Sequence, residues 1–241
     1  MEANKADVLV FMPHPDDSEF GCAGTVARWT KEGKSVIYII LTNGDKGTED
    51  RALTPEKLAA MRQEEQRAAA LVLGVKDVIF LGYPDQGLED TPDLRKDIVR
   101  QIRLYRPDTV VTVDPYRRYA WHRDHRIAGQ VVLDAVFPFA RDFLAYPYLM
   151  AEGLEPHKVK GMYFTASEDV NHISDISSTF DLKLEALACH KSQVGDRMAE
   201  LRKGLRQRAS DAAKSQKFEL AEEFHYVDLE SPWLGRKKDK T

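Results

Sequence analysis

Short apolar, β-branched runs alternate along this chain with segments of helical period, and that alternation constrains its fold more than anything else. Residues 8–12, 35–42, 77–81, 109–113 and 162–165 each read as a strand. The second of them, SVIYIILT, is too apolar to face water on either side, as suits a strand covered on both faces. Between these runs, residues 23–32 read as a helix stopped by Gly33. Thr54-Pro55 and Thr91-Pro92 each join a capping threonine to a proline suited to the first helical position. The first of these helices is expected to turn Leu58, Met61, Ala68, Leu71 and Val72 inward and to end at Gly74. The second has Leu94, Ile98 and Ile102 on one side. Residues 124–137 and 178–188 predict two more helices. The highly charged stretch 195–224 reads as an exposed helix, followed by a mobile tail, GRKKDKT.

Such alternation predicts a Rossmann-like α/β fold. Its sheet is mostly parallel, in the order 3-2-1-4-5, with right-handed crossovers and helices on both faces. A chain of 241 residues suits one large domain of this kind. The domain is expected at 1–194, with 195–241 as a charged helix and tail of the same domain. In that strand order the connections reverse between strands 1 and 4, and ligands bind beyond the carboxyl ends of those two strands. Chemistry is therefore expected just after residue 12 and just after residue 113.

Both places carry histidine and aspartate. After strand 1 comes His14-Pro15-Asp16-Asp17, and after strand 4 comes Asp114-Pro115, then Trp121-His122-Arg123-Asp124-His125. Histidine with carboxylate is a donor set that suits zinc with one position left open for water. Pro15 stiffens the turn that presents His14 and Asp17. His122 and His125, three apart, share a side of a first helical turn. The plain alternatives are a solvated turn, or acidic residues favouring the positive end of the following helix. Against them, the two clusters lie about a hundred residues apart and fall where the sheet would bring them together. Carboxylates that converge without a cation repel one another and are costly to desolvate.

These residues resemble a known family. HPDD at 14–17, GCAGT at 21–25, TNGDKG at 42–47, the R-x-x-E of Arg62 and Glu65, FLGYPD at 80–85, RPD at 106–108, HRDH at 122–125 and H-x-S-Q at 190–193 are similar to motifs of the LmbE-like, or PIG-L, zinc-dependent N-deacetylases. They span roughly three-quarters of the chain. The resemblance implies an LmbE-like fold and one zinc per chain held by His14, Asp17 and His125, iron being the other metal considered. It implies Asp16 as the general base that takes a proton from the attacking water and returns it to the leaving amine. It also implies that a protonated His122 faces the scissile amide and helps stabilise the oxyanion. Arg62, Asp85, His190 and Gln193 match positions near substrate in relatives. Asp45, after strand 2, is a further candidate for substrate contact. The implied reaction removes acetyl from an N-acetylglucosamine-type substrate and releases acetate and a free amine.

Some positions have a plainer reading beside this one. Asp124 reads as the cap of its helix, with orientation of a histidine as the alternative. Arg62 could be a surface charge paired with Glu64 or Glu65. Tyr116, Tyr119 and Trp121 could wall a sugar site or be structural. Many relatives read HPDDE, whereas this chain has Ser18 and then Glu19. That departure leaves the proposed ligands intact and the substrate open.

Rival functions are weaker. A dinucleotide-binding oxidoreductase would need a G-x-G-x-x-G that this chain lacks. A non-catalytic sugar binder would have no use for a base at Asp16. Hydrolysis of a larger amide, as in thiol-conjugate amidases, stays open. The net charge of −4 gives no hint of nucleic acid as a partner, and two cysteines make no disulfide framework. No signal-peptide pattern opens the chain, and no apolar run approaches the ~20 residues of a membrane span. We therefore expect a cytoplasmic protein that spans no membrane, with relatives suggesting a homo-oligomer, trimer or hexamer.

Overall fold

A computed structural model describes residues 5–119 and 122–230. Trp121 and the tail expected to be mobile lie outside the described residues. In chain order the elements are β1 (Val8–Met12), α1 (Asp17–Gly21), α2 (Ala23–Lys31), β2 (Val36–Thr42), α3 (Pro55–Leu73), β3 (Asp77–Tyr83), α4 (Pro92–Tyr105) and β4 (Thr109–Val113). Then come α5 (Arg123–Asp134), α6 (Tyr148–Ala151), β5 (Gly161–Thr165), β6 (His172–Asp175), α7 (Phe180–Leu187), α8 (Lys191–Val194), α9 (Met198–Ala212) and β7 (Ala221–Asp228).

The strands form one sheet in the order β3-β2-β1-β4-β5-β7-β6. The first five are parallel, in the 3-2-1-4-5 order that the alternation predicts. Every residue of β1 and β2 is buried, so helices cover both faces there. α2, α3 and α7 pack together in one group, and α4 packs with α5 in another. Both Thr-Pro starts work as read: Thr54 Oγ1 accepts from Lys57 N, and Thr91 Oγ1 accepts from Leu94 N. α5 lies so close to β4 that a Cβ on Gly129 would meet the Val113 carbonyl at 2.4 Å. That contact sets the middle of α5 against the end of β4. No helix of the described residues is long and apolar enough to cross a membrane.

Two expectations need correction. The stretch 195–224 is not one helix: α9 ends at Ala212, and β7 starts at Ala221 and pairs antiparallel with both β5 and β6. Its glutamates hide the strand pattern, and one of them, Glu222, is buried for a reason that lies elsewhere in the fold. The inner face of α3 is also rotated from the expected one. Met61 and Leu71 are exposed, while Leu58, Ala69, Ala70 and Leu73 are buried with Arg62 and Gln66. Two polar side chains face inward there because they reach the end of β1.

Candidate active site

β1 ends at Met12, and the chain turns sharply through Pro13–Asp16 into α1, a helix that sequence periodicity did not show. Asp16 sits at φ 89°, a backbone region that non-glycine residues rarely enter. The turn aims consecutive carboxylates in different directions. Asp17 Oδ2 accepts from the His14 backbone N–H at 2.9 Å and lies 3.1 Å from His14 Nδ1 and 3.2 Å from His125 Nε2. Asp16 Oδ2 instead faces Arg62 Nη2 at 3.5 Å.

The two clusters a hundred residues apart therefore meet. The rings of His14, His122 and His125 lie within 5.5 Å of one another, centroid to centroid. His14, Asp17 and His125 each offer a donor atom within 4.8 Å of the others. His14, Asp85, His122 and Asp124 make a second such group. The two groups use opposite nitrogens of His14. Nδ1 faces Asp17, while Nε2 lies 3.1 Å from Asp85 Oδ1 and 3.2 Å from Asp124 Oδ2. Carboxylates behind one ring nitrogen, with a metal in front of the other, is the usual arrangement of a ligand histidine.

Asp124 does not cap α5, contrary to the plainer reading. The cap is His122, whose Nδ1 accepts from the Asp124 N–H at 3.1 Å. Asp124 is fully buried, and its carboxylate accepts from the backbone of Gln86 and Leu88 while holding His14. It thereby ties the loop after β3 to the turn after β1.

Electrostatics follow from this crowding. Burial alone disfavours a charged His14, yet hydrogen bonds to Asp124, Asp17 and Asp85 push its pKa up to about 11. Asp17 is also desolvated, but His125 and His14 hold it far below the usual carboxylate range. Burial, then the charge of Asp17 beside it, pushes Asp16 up to about 7 against the pull of Arg62. Burial and the neighbouring His14 lower the pKa of His122. Four carboxylates thus converge on one guanidinium and a cluster of imidazoles. Such a set draws a cation, and histidine nitrogen with carboxylate oxygen is a donor chemistry that zinc accepts.

The other expected site residues are placed as follows. Arg62 is 4% exposed and is no surface charge. Its guanidinium donates to Pro15 O at 2.8 Å and to Gly44 O and Lys46 O at 3.2 Å, and Nη1 lies 3.8 Å from Asp85 Oδ2. Glycine is required at 44, where φ is +59° and a Cβ would come 2.9 Å from the Pro15 ring. Asp45 Oδ1 accepts from Asp85 N at 3.0 Å, so the loops after β2 and β3 are joined. Glu64 and Glu65 are engaged elsewhere: Glu64 with Arg67, and Glu65 with Ser192. His190 is fully buried, its Nε2 3.1 Å from Glu19 Oε2. Gln193 is half-buried and donates to Ser192 Oγ at 3.3 Å. Tyr116 and Tyr119 are exposed beyond β4. A cavity of about 240 Å³ opens beside Asp17 and His125, between β5, β7 and α9, with Phe20, Arg117, Lys183 and Arg208 in its walls. Sequence reading missed this wall, because its residues carry no motif and come from distant segments.

Fold and site together define a Rossmann-like α/β protein with a His/Asp group that could hold a metal at the strand-order reversal. A family model described as "PIG-L: GlcNAc-PI de-N-acetylase" matches residues 9–136. The chain belongs to this PIG-L family, which is hydrolytic and metal-dependent. It is 37% identical over 198 residues to a diacetylchitobiose deacetylase of Thermococcus kodakarensis, covering 80% of this chain and 72% of the relative. It is 31% identical over 208 residues to a probable N-acetyl-alpha-D-glucosaminyl L-malate deacetylase 2 of Bacillus anthracis, covering 83% and 87%. The crystallised N,N'-diacetylchitobiose deacetylase of Pyrococcus horikoshii, in complex with an inhibitor, superposes with a TM-score of 0.87 at 32% identity, over 92% of this chain and 84% of that one.

Proposed function

We propose that this protein removes the N-acetyl group from an N-acetylglucosamine-type substrate, using zinc held by His14, Asp17 and His125. One observation carries the reading. The turn after β1 and the start of α5 come together so that Asp17 meets both ligand histidines, while its neighbour Asp16 is left free of them. The names of the relatives support the substrate class.

A divalent cation at that triad would acidify water and polarise the amide carbonyl. Asp16 takes the proton from the attacking water. A carboxyl with a pKa near neutrality is matched to accepting a proton and then returning it to the leaving amine. For His122 we propose a neutral donor in place of the protonated one that the resemblance implies. Its lowered pKa favours the neutral ring, and Nδ1 already accepts the Asp124 N–H, so the remaining proton sits on Nε2. A neutral His122 then donates from Nε2 to the developing oxyanion. Asp85 and Asp124 keep His14 oriented, and Arg62 binds the three loops around the base.

The test is metal content of the purified protein together with acetate release from N-acetylglucosamine, its chitobiose dimer and N-acetylglucosaminyl malate. About one zinc per chain with acetate release is expected. Asp16→Asn should keep the metal and lose acetate. Metal binding with release of a different acid would move the protein to the amidase alternative.

A further inference from the structure

The proposed base occupies an unfavourable backbone conformation, and nothing assigned to the reaction explains what holds it there. A non-glycine residue at φ 89°, ψ −25° is strained and persists only where its surroundings fix it. The Asp16 carbonyl accepts from Glu19 N at 2.9 Å and from Phe20 N at 3.1 Å. Its N–H donates to one acceptor, Gln66 Oε1, at 2.9 Å. Gln66 is fully buried on α3.

A glutamine amide can face either way, and only one way offers an oxygen to Asp16. Glu19 makes that choice. Its carboxylate accepts from Gln66 Nε2 with both oxygens, at 3.0 and 3.1 Å, so the amide nitrogen must face Glu19 and the amide oxygen must face Asp16. Glu19 is fully buried and is held from behind by His190 Nε2 at 3.1 Å. The His190 turn is pinned in its own right. Glu65, one residue before Gln66, accepts from Ser192 N at 2.8 Å and from Ser192 Oγ at 2.6 Å. α1, α3 and the α7–α8 turn therefore converge on a single backbone N–H.

We infer that Glu19, Gln66 and His190 are positioning residues that act through the Asp16 backbone to hold the base carboxylate at its working geometry. This rests on the assignment of Asp16 as the base. The chain His190–Glu19–Gln66–Asp16 fixes the direction of the amide, and the amide fixes the turn. None of the three side chains touches the metal triad. Loss of the bracket lowers kcat and leaves substrate affinity and metal content alone.

The experiment is a reciprocal exchange. Gln66→Glu keeps an acceptor for Asp16 but sets two carboxylates against each other. Glu19→Gln removes the charge that orients Gln66 and lets that amide turn. The double variant E19Q/Q66E restores the chain and reverses only the 19–66 bond: a carboxylate at 66 accepts from Asp16 and from the new amide, whose oxygen faces His190. Each single variant, zinc-loaded and folded, is expected to lose about tenfold or more in kcat, with KM and zinc content near wild type. The double variant should recover to within about threefold of wild type. A purely structural role predicts the opposite pattern, with additive losses of stability and an unchanged kcat for the folded fraction. Should the single variants not fold, the double variant decides: near-wild-type kcat supports the bracket, and a loss of tenfold or more overturns it. Asp16→Asn separates the two levels of the argument. If it retains acetate release, the base assignment fails. If it is inactive while both single exchanges keep wild-type kcat, the bracket alone fails.

Discussion

Two buried polar clusters lie at the carboxyl edge of the sheet and its flank, and they handle charge in opposite ways. Around Glu222 the charges cancel. Lys183 Nζ meets Glu222 Oε1 at 2.7 Å, both side chains only 5% exposed, and Lys183 also donates to Phe20 O. The same carboxylate accepts from the N–H groups of Gly24 and Thr25 at the start of α2 and from Thr25 Oγ1. Each polar group has its partner, and the cluster joins β7, α7 and α2 into one block. At the other cluster, Asp16 and Asp85 face the single guanidinium of Arg62, while Asp17, Asp85 and Asp124 crowd His14 and push its pKa up. A cluster that balances itself serves structure. One left with surplus negative charge has room for a cation.

The sharpest way to break that contrast is to remove a donor from the unbalanced cluster. His14→Ala takes away a proposed metal ligand and the partner of three carboxylates at once. We expect loss of stoichiometric zinc and a fall of about a thousandfold or more in acetate release, with the fold retained by circular dichroism. Stripping zinc from the wild type with a chelator should reproduce the loss of activity, and adding zinc back should reverse it in the wild type alone.

Lys183→Met probes the balanced cluster. It leaves Glu222 buried without its cation, which costs about 3–5 kcal/mol of stability, read as a lower urea midpoint. The double variant Lys183→Met with Glu222→Gln should cost less than the single one, because an amide oxygen still accepts from α2 and no charge is stranded. The opposite order would mean that the ion pair itself, and not its neutrality, holds the block together.

Asp124→Asn has a smaller effect and lies between the two. The side chain keeps its size but has one oxygen left, for either the Gln86 or the Leu88 N–H, which donate to different carboxylate oxygens, and it loses the charge behind His14. Zinc affinity should fall about 10–100-fold, measured by competition with a chromophoric chelator, while activity at saturating zinc falls less.

The unbalanced cluster was legible in the sequence and the balanced one was not. His14, Asp17 and His125 lie in two short motifs, and the strand order shows why those motifs meet. Strands β1 and β4 match their expected bounds because each is a short run with clear edges. Thr25, Lys183 and Glu222 are single polar residues spread over nearly two hundred positions, and no local pattern joins them. β7 was hidden by the same cause, since its buried glutamate breaks the alternation that marks a strand. Arg62 and Gln66 misled the reading of α3 because burial there serves the turn after β1 rather than the apolar core.

The pair Glu19–His190 makes the contrast finer, because it balances itself with a cation that titrates. Burial alone would lower the pKa of His190, but its hydrogen bond to Glu19 and the nearby acidic charges raise it above the ordinary value of 6.5. A histidine whose folded pKa is raised adds stability that is fully present below its unfolded pKa and is lost as pH rises through the folded one. The advantage of the wild type over His190→Gln in urea midpoint should therefore be largest at pH 6 and shrink by pH 9. Comparing the two zinc-loaded proteins at each pH cancels every other titrating group they share. An advantage that stays constant from pH 6 to pH 9 would show that the Glu19–His190 pair does not govern stability in this range.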